Sequence, residues 1–427
     1  MTAPALLFYR AATTLFAPFA RIFLRARARQ GKEDVARMGE RMGFAVAPRP
    51  QGPLVWLHGA SIGEGLSLLP LIEAIVARGA HALVTTGTTS SARVVTARLP
   101  PGASHQFVPL DSPPFVDRFI RHWRPDVAIF AESELWPNLI AQTRASDAPV
   151  MLVNARMSPR SFERWRLARG AAAQVLGQIE IAFAQSRDDA ARLTELGARD
   201  VRLVGNLKYD VAAPPSTPDT LAALSAQIGS RPVWVAASTH PGEEEICLAA
   251  HRNLLARFPD LLTIVAPRDA RRGAGLEQLA TRLGDHTARR SDGQPISAQT
   301  QVYIADTFGE MGLWYRLASV VFVGKSLAGV GGQNPIEAAK LGAAVLHGPS
   351  VENFVDAYAA LDAAGGGVRV TDAADLATQL AMLFADVAKA RAMARAAVGV
   401  VRELGGATES VMQAIEPYLA HTRRKDA

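Results

Sequence analysis

Short unbroken apolar runs recur along the chain from residue 54, each followed by a stretch with apolar residues at helical spacing. Leu54–His58, His81–Thr86, Asp126–Ala131, Val150–Asn154, Ile179–Gln185 and Val201–Gly205 read as strands. Runs without polar alternation imply strands buried on both faces, hence a parallel sheet with helices on either side. Val211–Pro218, rich in proline and small residues, has no periodicity and reads as a linker. Beyond it the alternation restarts, with strands at Val233–Ala237, Leu262–Ala266, Val302–Ala305, Val320–Val323, Ala344–His347 and a short Val368–Val370. Helices fall near 241–257, 271–284, 309–318, 334–341 and 353–364, and 373–420 is Ala-rich and helical. The fold class predicted is α/β, with two Rossmann-like doubly wound domains facing each other across a cleft. Residues 31–212 form the first and 213–427 the second, after an N-terminal segment, 1–30. In such folds ligands bind at the carboxyl ends of strands, where loops lead into helices.

The N-terminal segment changes this picture. Residues 5–24, LLFYRAATTLFAPFARIFLR, have the length of a bilayer span, but Arg10, Pro18 and Arg21 interrupt them. A membrane-anchoring helix, spanning or lying in the interface, and a helix packed on the body all remain open. No small-residue cleavage site follows, so no removed signal peptide is read. Arg21, Arg25, Arg27, Arg29 and Lys32 cluster just beyond it, and Arg423, Arg424 and Lys425 near residue 427. In a membrane reading the first cluster holds the body on the cytoplasmic side. Lys+Arg exceed Asp+Glu by 46 to 40, a formal charge of +6. Without an aromatic-interleaved basic stripe, that excess suits anionic lipid headgroups and argues against nucleic acid as a partner. The single cysteine, Cys247, excludes a disulfide framework, and the scattered histidines offer no zinc pair.

Candidate chemistry sits at the predicted strand ends. The loop Gly59–Gly65, GASIGEG, lacks the GxGxxG spacing of a dinucleotide enzyme. Its Glu64 has two readings, a helix cap or a general base that deprotonates an acceptor hydroxyl. Glu132 and Glu134 follow the strand ending at Ala131, and Lys208 follows the last strand of the first half. Asn154 and Arg156 close another strand. In the second half, Ser238 and Thr239 present hydroxyls and amides suited to an anion, and Arg268 after Pro267 offers a planar fork for phosphate. Gly309, Glu310 and Met311 open a helix. A glycine run leads to Asn334, Pro335, Ile336 and Glu337, where Glu337 suits ribose hydroxyls or simple first-turn charge compensation.

Taken together, KEDVARMGERMG, HGASIGEG, AESELWPNLI, NARMSPRS, GNLKYD, ASTHPGEE, APR, ADTFGEM, GGQNPIEA and HGPSVENF resemble, in order across nearly the whole chain, the Kdo transferase family of lipopolysaccharide synthesis. That family moves 3-deoxy-D-manno-octulosonic acid (Kdo) from CMP-Kdo to the lipid A precursor, lipid IVA. The resemblance implies a GT-B glycosyltransferase whose first domain takes the acceptor and whose second takes CMP-Kdo. It implies an inverting mechanism with Glu64 as general base and Glu132 with Lys208 as a charge-stabilising pair. CMP contacts are implied at Pro267, Arg268, Gly309, Glu310, Met311, Asn334, Pro335, Ile336 and Glu337. No metal or other cofactor is implied, and the expected location is the cytoplasmic face of the inner membrane. Two positions depart from the family's pattern: Asp269, where histidine is usual after Pro-Arg, and Gln333 in place of the histidine of GGHN. The alternatives weighed are another GT-B transferase or a sugar-nucleotide epimerase using a UDP donor, and a membrane scaffold with a catalytically dead transferase fold. How many Kdo units are transferred, and the oligomeric state, are not legible in the sequence.

Overall fold

The computed structural model describes residues 3–426, with side chains to residue 420. The chain divides into two compact units, Met1–Val211 with Gly405–Ala427, and Ala212–Leu404. The first carries a seven-stranded sheet of β1 (Leu54–His58), β2 (His81–Thr86), β3 (Ala103–Phe107), β4 (Val127–Ala131), β5 (Val150–Ala155), β6 (Ile179–Ala184) and β7 (Val201–Leu203), in the order β3-β2-β1-β4-β5-β6-β7. Every pairing is parallel. The strand order reverses between β1 and β4, so a crevice opens beyond their carboxyl ends. Every residue of β1, β4 and β5 is buried, as unbroken apolar runs require of central strands. On one face Trp56 packs against Phe119 and Phe130, with ring centroids 4.7 and 5.1 Å apart. Its indole N–H donates to Thr85 Oγ1 at 2.9 Å, so the ring is buried without an orphaned donor.

The second unit repeats the plan with β8 (Val233–Thr239), β9 (Leu262–Pro267), β10 (Thr287–Arg289), β11 (Val302–Ile304), β12 (Val320–Val323), β13 (Ala344–His347) and β14 (Gly367–Arg369). The order is β10-β11-β9-β8-β12-β13-β14, all parallel, with the reversal between β8 and β12.

The chain end departs from the expected boundary of 213–427. Helix Ala407–Asp426 belongs to the first unit. Its Val411, Met412, Ile415 and Leu419 join Leu68, Leu71, Ile72 and Ile75 in one buried cluster. Asp210 caps it from the other crossing point, accepting from Gly406 N at 2.7 Å and Thr408 N at 2.6 Å. An Ala-rich helix shows an apolar stripe but not which sheet will cover it, so the sequence assigned it to its nearest neighbours. The basic residues Arg423, Arg424 and Lys425 lie outside the described side chains.

The N-terminal segment is two helices, Pro4–Phe16 and Ala20–Arg29, joined by a 3-10 turn at Ala17–Phe19 where Pro18 interrupts. No described helix is long and apolar enough to cross a membrane. One face is docked on the first unit. Tyr9 donates to Asp111 at 2.9 Å, Ser112 donates to Thr13 O at 2.7 Å, and Ala20 and Leu24 are buried with Met38, Met42 and Phe115. The other face is bare and apolar, with Phe8 76%, Leu15 74%, Phe19 60% and Ile22 67% exposed.

Candidate active site

In the first unit, the loop after β1 and the residues after β4 flank the switch point. Glu64 lies in the first turn of helix Ile62–Ser67 and completes a capping box. Its Oε2 accepts from Ala60 N at 2.6 Å and Ser61 N at 3.3 Å, while Ser61 Oγ accepts from Glu64 N at 3.3 Å. The capping reading is therefore realised, and the carboxylate is half-buried with no ion pair among the described residues. Burial, and next the charge of Glu134, hold its carboxyl above the usual carboxylate range; the Ser61 hydrogen bonds oppose this and the charge of Glu132 adds to it.

The two neighbouring carboxylates are both partnered. Glu132, one residue past β4, has a left-handed backbone (φ 54°) and accepts from Lys208 Nζ at 3.0 Å. Lys208 itself sits in the 3-10 turn Leu207–Tyr209 after β7. Glu134 Oε2 takes the Trp136 indole N–H at 2.5 Å and lies 3.4 Å from Nε2 of the buried His58, the last residue of β1. Burial alone would raise the Glu134 carboxyl, but the His58 and Trp136 contacts outweigh it and place it below its ordinary value. Beyond the carboxyl ends of β1 and β4 the carboxyls of Glu64 and Glu134 are thus pushed apart, Glu64 upward and Glu134 downward.

In the second unit the expected residues also gather at carboxyl strand ends, though not all present side chains outward. Ser238, the penultimate residue of β8, has φ 53°. Thr239 does not offer the hydroxyl expected of it, because the residue is fully buried and donates to Glu244 Oε1 at 3.0 Å. Pro267 ends β9, and Arg268 beyond it is exposed, tied by its backbone N to Thr239 O at 3.0 Å. Gly309 (φ 83°) and Met311 bracket Glu310, whose carboxylate receives the Arg290 guanidinium at 2.6 and 3.0 Å and the Thr307 hydroxyl. Asn334 Oδ1 accepts from Ile336 N at 3.0 Å, Pro335 and Ile336 are buried, and Glu337 occupies the first turn of helix Ile336–Lys340. Pro335 and Ile336 form the start of that helix. The departures from pattern have local roles. Asp269 caps the next turn and pairs with Arg271 at 2.8 Å, and Gln333 Nε2 meets His240 Nε2 at 3.1 Å.

Several residues escaped the sequence reading. Glu243, fully buried, accepts from the backbone N–H groups of His240, Lys325, Ser326 and Leu327 at 2.9, 2.6, 2.8 and 2.9 Å. It staples the loop after β12 to the loop after β8, across the switch point. Glu244, equally buried, is engaged by Arg272 at 2.5 Å. In sequence both belong to the charge run Glu243–Glu245, which reads as a solvated helix face. His58 and Arg290 carry no sequence signal, since their partners lie on other strands.

Two such sheets with their charged groups at the switch points are the class architecture of GT-B glycosyltransferases and related epimerases. The chain is similar to a glycosyltransferase from Rickettsia africae ESF-5, with a TM-score of 0.58 at 12% identity, covering 87% of this chain and 99% of that one. It is equally similar to the UDP-GlcNAc 2-epimerase from Neisseria meningitidis bound to UDP-GlcNAc, with a TM-score of 0.58 at 12% identity, covering 85% and 99%. At that identity the likeness speaks for the fold alone. The family described as 3-Deoxy-D-manno-octulosonic-acid transferase (kdotransferase) matches residues 36–211. The 3-deoxy-D-manno-octulosonic acid transferase of Haemophilus influenzae is 33% identical over 395 residues, 90% of this chain and 91% of that protein. The protein of the same name from Rickettsia bellii is 35% identical over 329 residues, 76% and 78% of the two chains. The chain belongs to the Kdo transferase family and is a glycosyltransferase.

Proposed function

We propose that this protein transfers Kdo from CMP-Kdo to lipid IVA with inversion at the anomeric carbon. The observation that carries the reading is the arrangement at the β1 and β4 ends: a basicity-raised Glu64, held by backbone N–H groups and in no ion pair among the described residues, beside the Glu132–Lys208 ion pair. The bond from the acceptor oxygen to the anomeric carbon forms, the bond from that carbon to the CMP phosphate oxygen breaks, and Glu64 takes the hydroxyl proton. Lys208, indexed by Glu132, compensates the anionic charge of a keto-acid sugar and its leaving phosphate. The first unit takes the acceptor. The second unit holds CMP, with Arg268 on phosphate and the Glu243-stapled loop beneath it. No metal or other cofactor enters this reading, because Lys208 and Arg268 supply the positive charge.

The fold likeness to a UDP-sugar epimerase makes the nucleotide the discriminating ligand. Calorimetric titration is expected to show CMP binding more tightly than UDP. Arg268→Ala should weaken CMP about tenfold, the worth of one charge-assisted hydrogen bond. UDP binding more tightly than CMP would overturn the donor assignment.

We also propose that the bare face of the N-terminal helices lies on the cytoplasmic surface of the inner membrane. Phe8, Leu15, Phe19 and Ile22 form the apolar contact. Beside them Arg21, Arg25 and Arg29 line a groove of about 630 Å³ with Val35, Met38, Met42 and Phe44, a lining suited to an acylated phosphate ester. Anionic vesicles should float the protein, with salt weakening the attachment. Serine at Phe8, Leu15, Phe19 and Ile22 should cut the partition at least about a hundredfold, since each buried side chain is worth roughly 1.5–3 kcal/mol. Unchanged flotation of that variant would exclude this face.

A further inference from the structure

Both members of the Glu132–Lys208 pair take their position from one stretch of β5. Glu132 N donates to Val153 O at 2.8 Å and Arg156 N donates to Glu132 O at 3.3 Å, so the carboxylate is indexed to residues 153–156 by backbone. Lys208 is indexed to the residue inside that stretch. Asn154 Oδ1 accepts from Leu207 N at 2.8 Å, and its own carbonyl accepts from Gln185 Nε2 at 2.7 Å. Gln185 Oε1 then accepts from Asn206 Nδ2 at 3.2 Å, and Asn206 Oδ1 from Lys208 N at 2.9 Å. Three amide side chains from β5, the end of β6 and the turn itself therefore hold the backbone from which Lys208 reaches Glu132 at 3.0 Å.

Asn154 is also the irregular residue of its strand. Its φ is 51°, and the β5–β6 register shifts between Leu152 and Ala155. Such bulges re-aim side chains beside functional sites, and Asn is among the few non-glycine residues that tolerate the left-handed region. It is 1% exposed, and its Nδ2 has no hydrogen-bond partner among the described residues. A glycine would give the same backbone without an orphaned amide. What the asparagine adds is the oxygen that Leu207 N–H uses.

We propose that Asn154 is a positioning residue for the Glu132–Lys208 pair, acting through the Leu207–Lys208 backbone rather than by touching substrate. This rests on the reading of Lys208 as a group at the reacting centre. A double-mutant cycle on the full chain, with CMP-Kdo and lipid IVA as substrates, tests it. Lys208→Met is expected to lower kcat about a hundredfold or more. Asn154→Gly, which keeps the left-handed backbone and removes the side chain with its carboxamide, should lower kcat roughly tenfold with both KM values within about twofold. In the Lys208→Met background the same change should alter kcat by less than about twofold. Equal losses in both backgrounds, or a soluble Asn154→Gly protein with unchanged kcat, overturn the positioning role. Lys208→Met with unchanged kcat overturns the reading of Lys208 itself and the role of Asn154 with it. If Asn154→Gly does not fold, Asn206→Ala at the half-buried turn removes the Lys208 N contact and must show the same non-additivity.

Discussion

Glu64→Gln is expected to lower kcat by about 10²–10⁴-fold, the worth of a positioned general base, while leaving the fold intact. The amide oxygen can still accept the Ala60 and Ser61 N–H groups, and glutamine serves a capping box as well as glutamate does. The substitution therefore separates the two roles that the structure assigns to one side chain. A residue that only capped helix Ile62–Ser67 would tolerate glutamine with full activity. Thermal unfolding should move by no more than about 0.5 kcal/mol. The wild-type pH dependence follows from the same surroundings. The base acts when deprotonated, so kcat/KM should fall as pH drops through the Glu64 pKa, and burial and Glu134 place that fall above an ordinary glutamate's range. Glu134→Gln removes one of the raising charges and should move the acid limb to lower pH. A limb that stays in place, measured as kcat/KM against pH, would contradict that electrostatic assignment.

Glu243→Ala is expected to give the largest loss of stability, about 3–5 kcal/mol, as a buried anchor whose removal strands several partners. Its carboxylate satisfies the N–H groups of His240, Lys325, Ser326 and Leu327 at once, and alanine would leave them facing each other around a void. The backbone it holds is itself strained, with φ of 53° at Ser238 and 60° at Lys325. Without the staple those residues should relax to ordinary conformations and the loop to Gln333 should lose its seat. In calorimetry the transition of the second unit should fall by about 6–20 °C, given roughly 2–4 °C per kcal/mol for a unit of this size. CMP affinity should fall with it even where the unit remains folded. Glu243→Gln keeps one acceptor oxygen and turns a donor toward N–H groups, so an intermediate loss is expected. An alanine variant within about 1 kcal/mol of wild type would show that the staple is redundant.

The central strands were legible because burial on both faces leaves an unbroken apolar run, as in β1, β4 and β8. The two strands absent from the sequence reading are β3 (ASHQF) and β10 (TAR), both at sheet edges. An edge strand is half exposed and carries polar residues, so its pattern resembles a loop. Helix Ala407–Asp426 was legible as a helix but not as part of the first unit, because its covering surface lies more than 300 residues away in Leu68–Ile75. The candidate site divides in the same way. Glu64, Glu132, Lys208 and Arg268 could be named from strand-end placement and from motif resemblance. The supporting residues could not be, since His58 meets Glu134, Gln185 meets Asn206, Glu243 meets Lys325 and Arg290 meets Glu310 across strands distant in sequence. Glu243 and Glu244 also defeat the usual reading of a charge run, being buried where three consecutive glutamates suggest solvent.

The most direct measurement is the mass of lipid IVA after incubation with the purified protein, Kdo, CTP and a CMP-Kdo-generating enzyme, beside a Glu64→Gln control. Lipid heavier by one or more Kdo units with the wild type, and unmodified lipid with the variant over the same time, is the expected result. Unmodified lipid from well-folded wild type while CMP-Kdo accumulates would contradict the account.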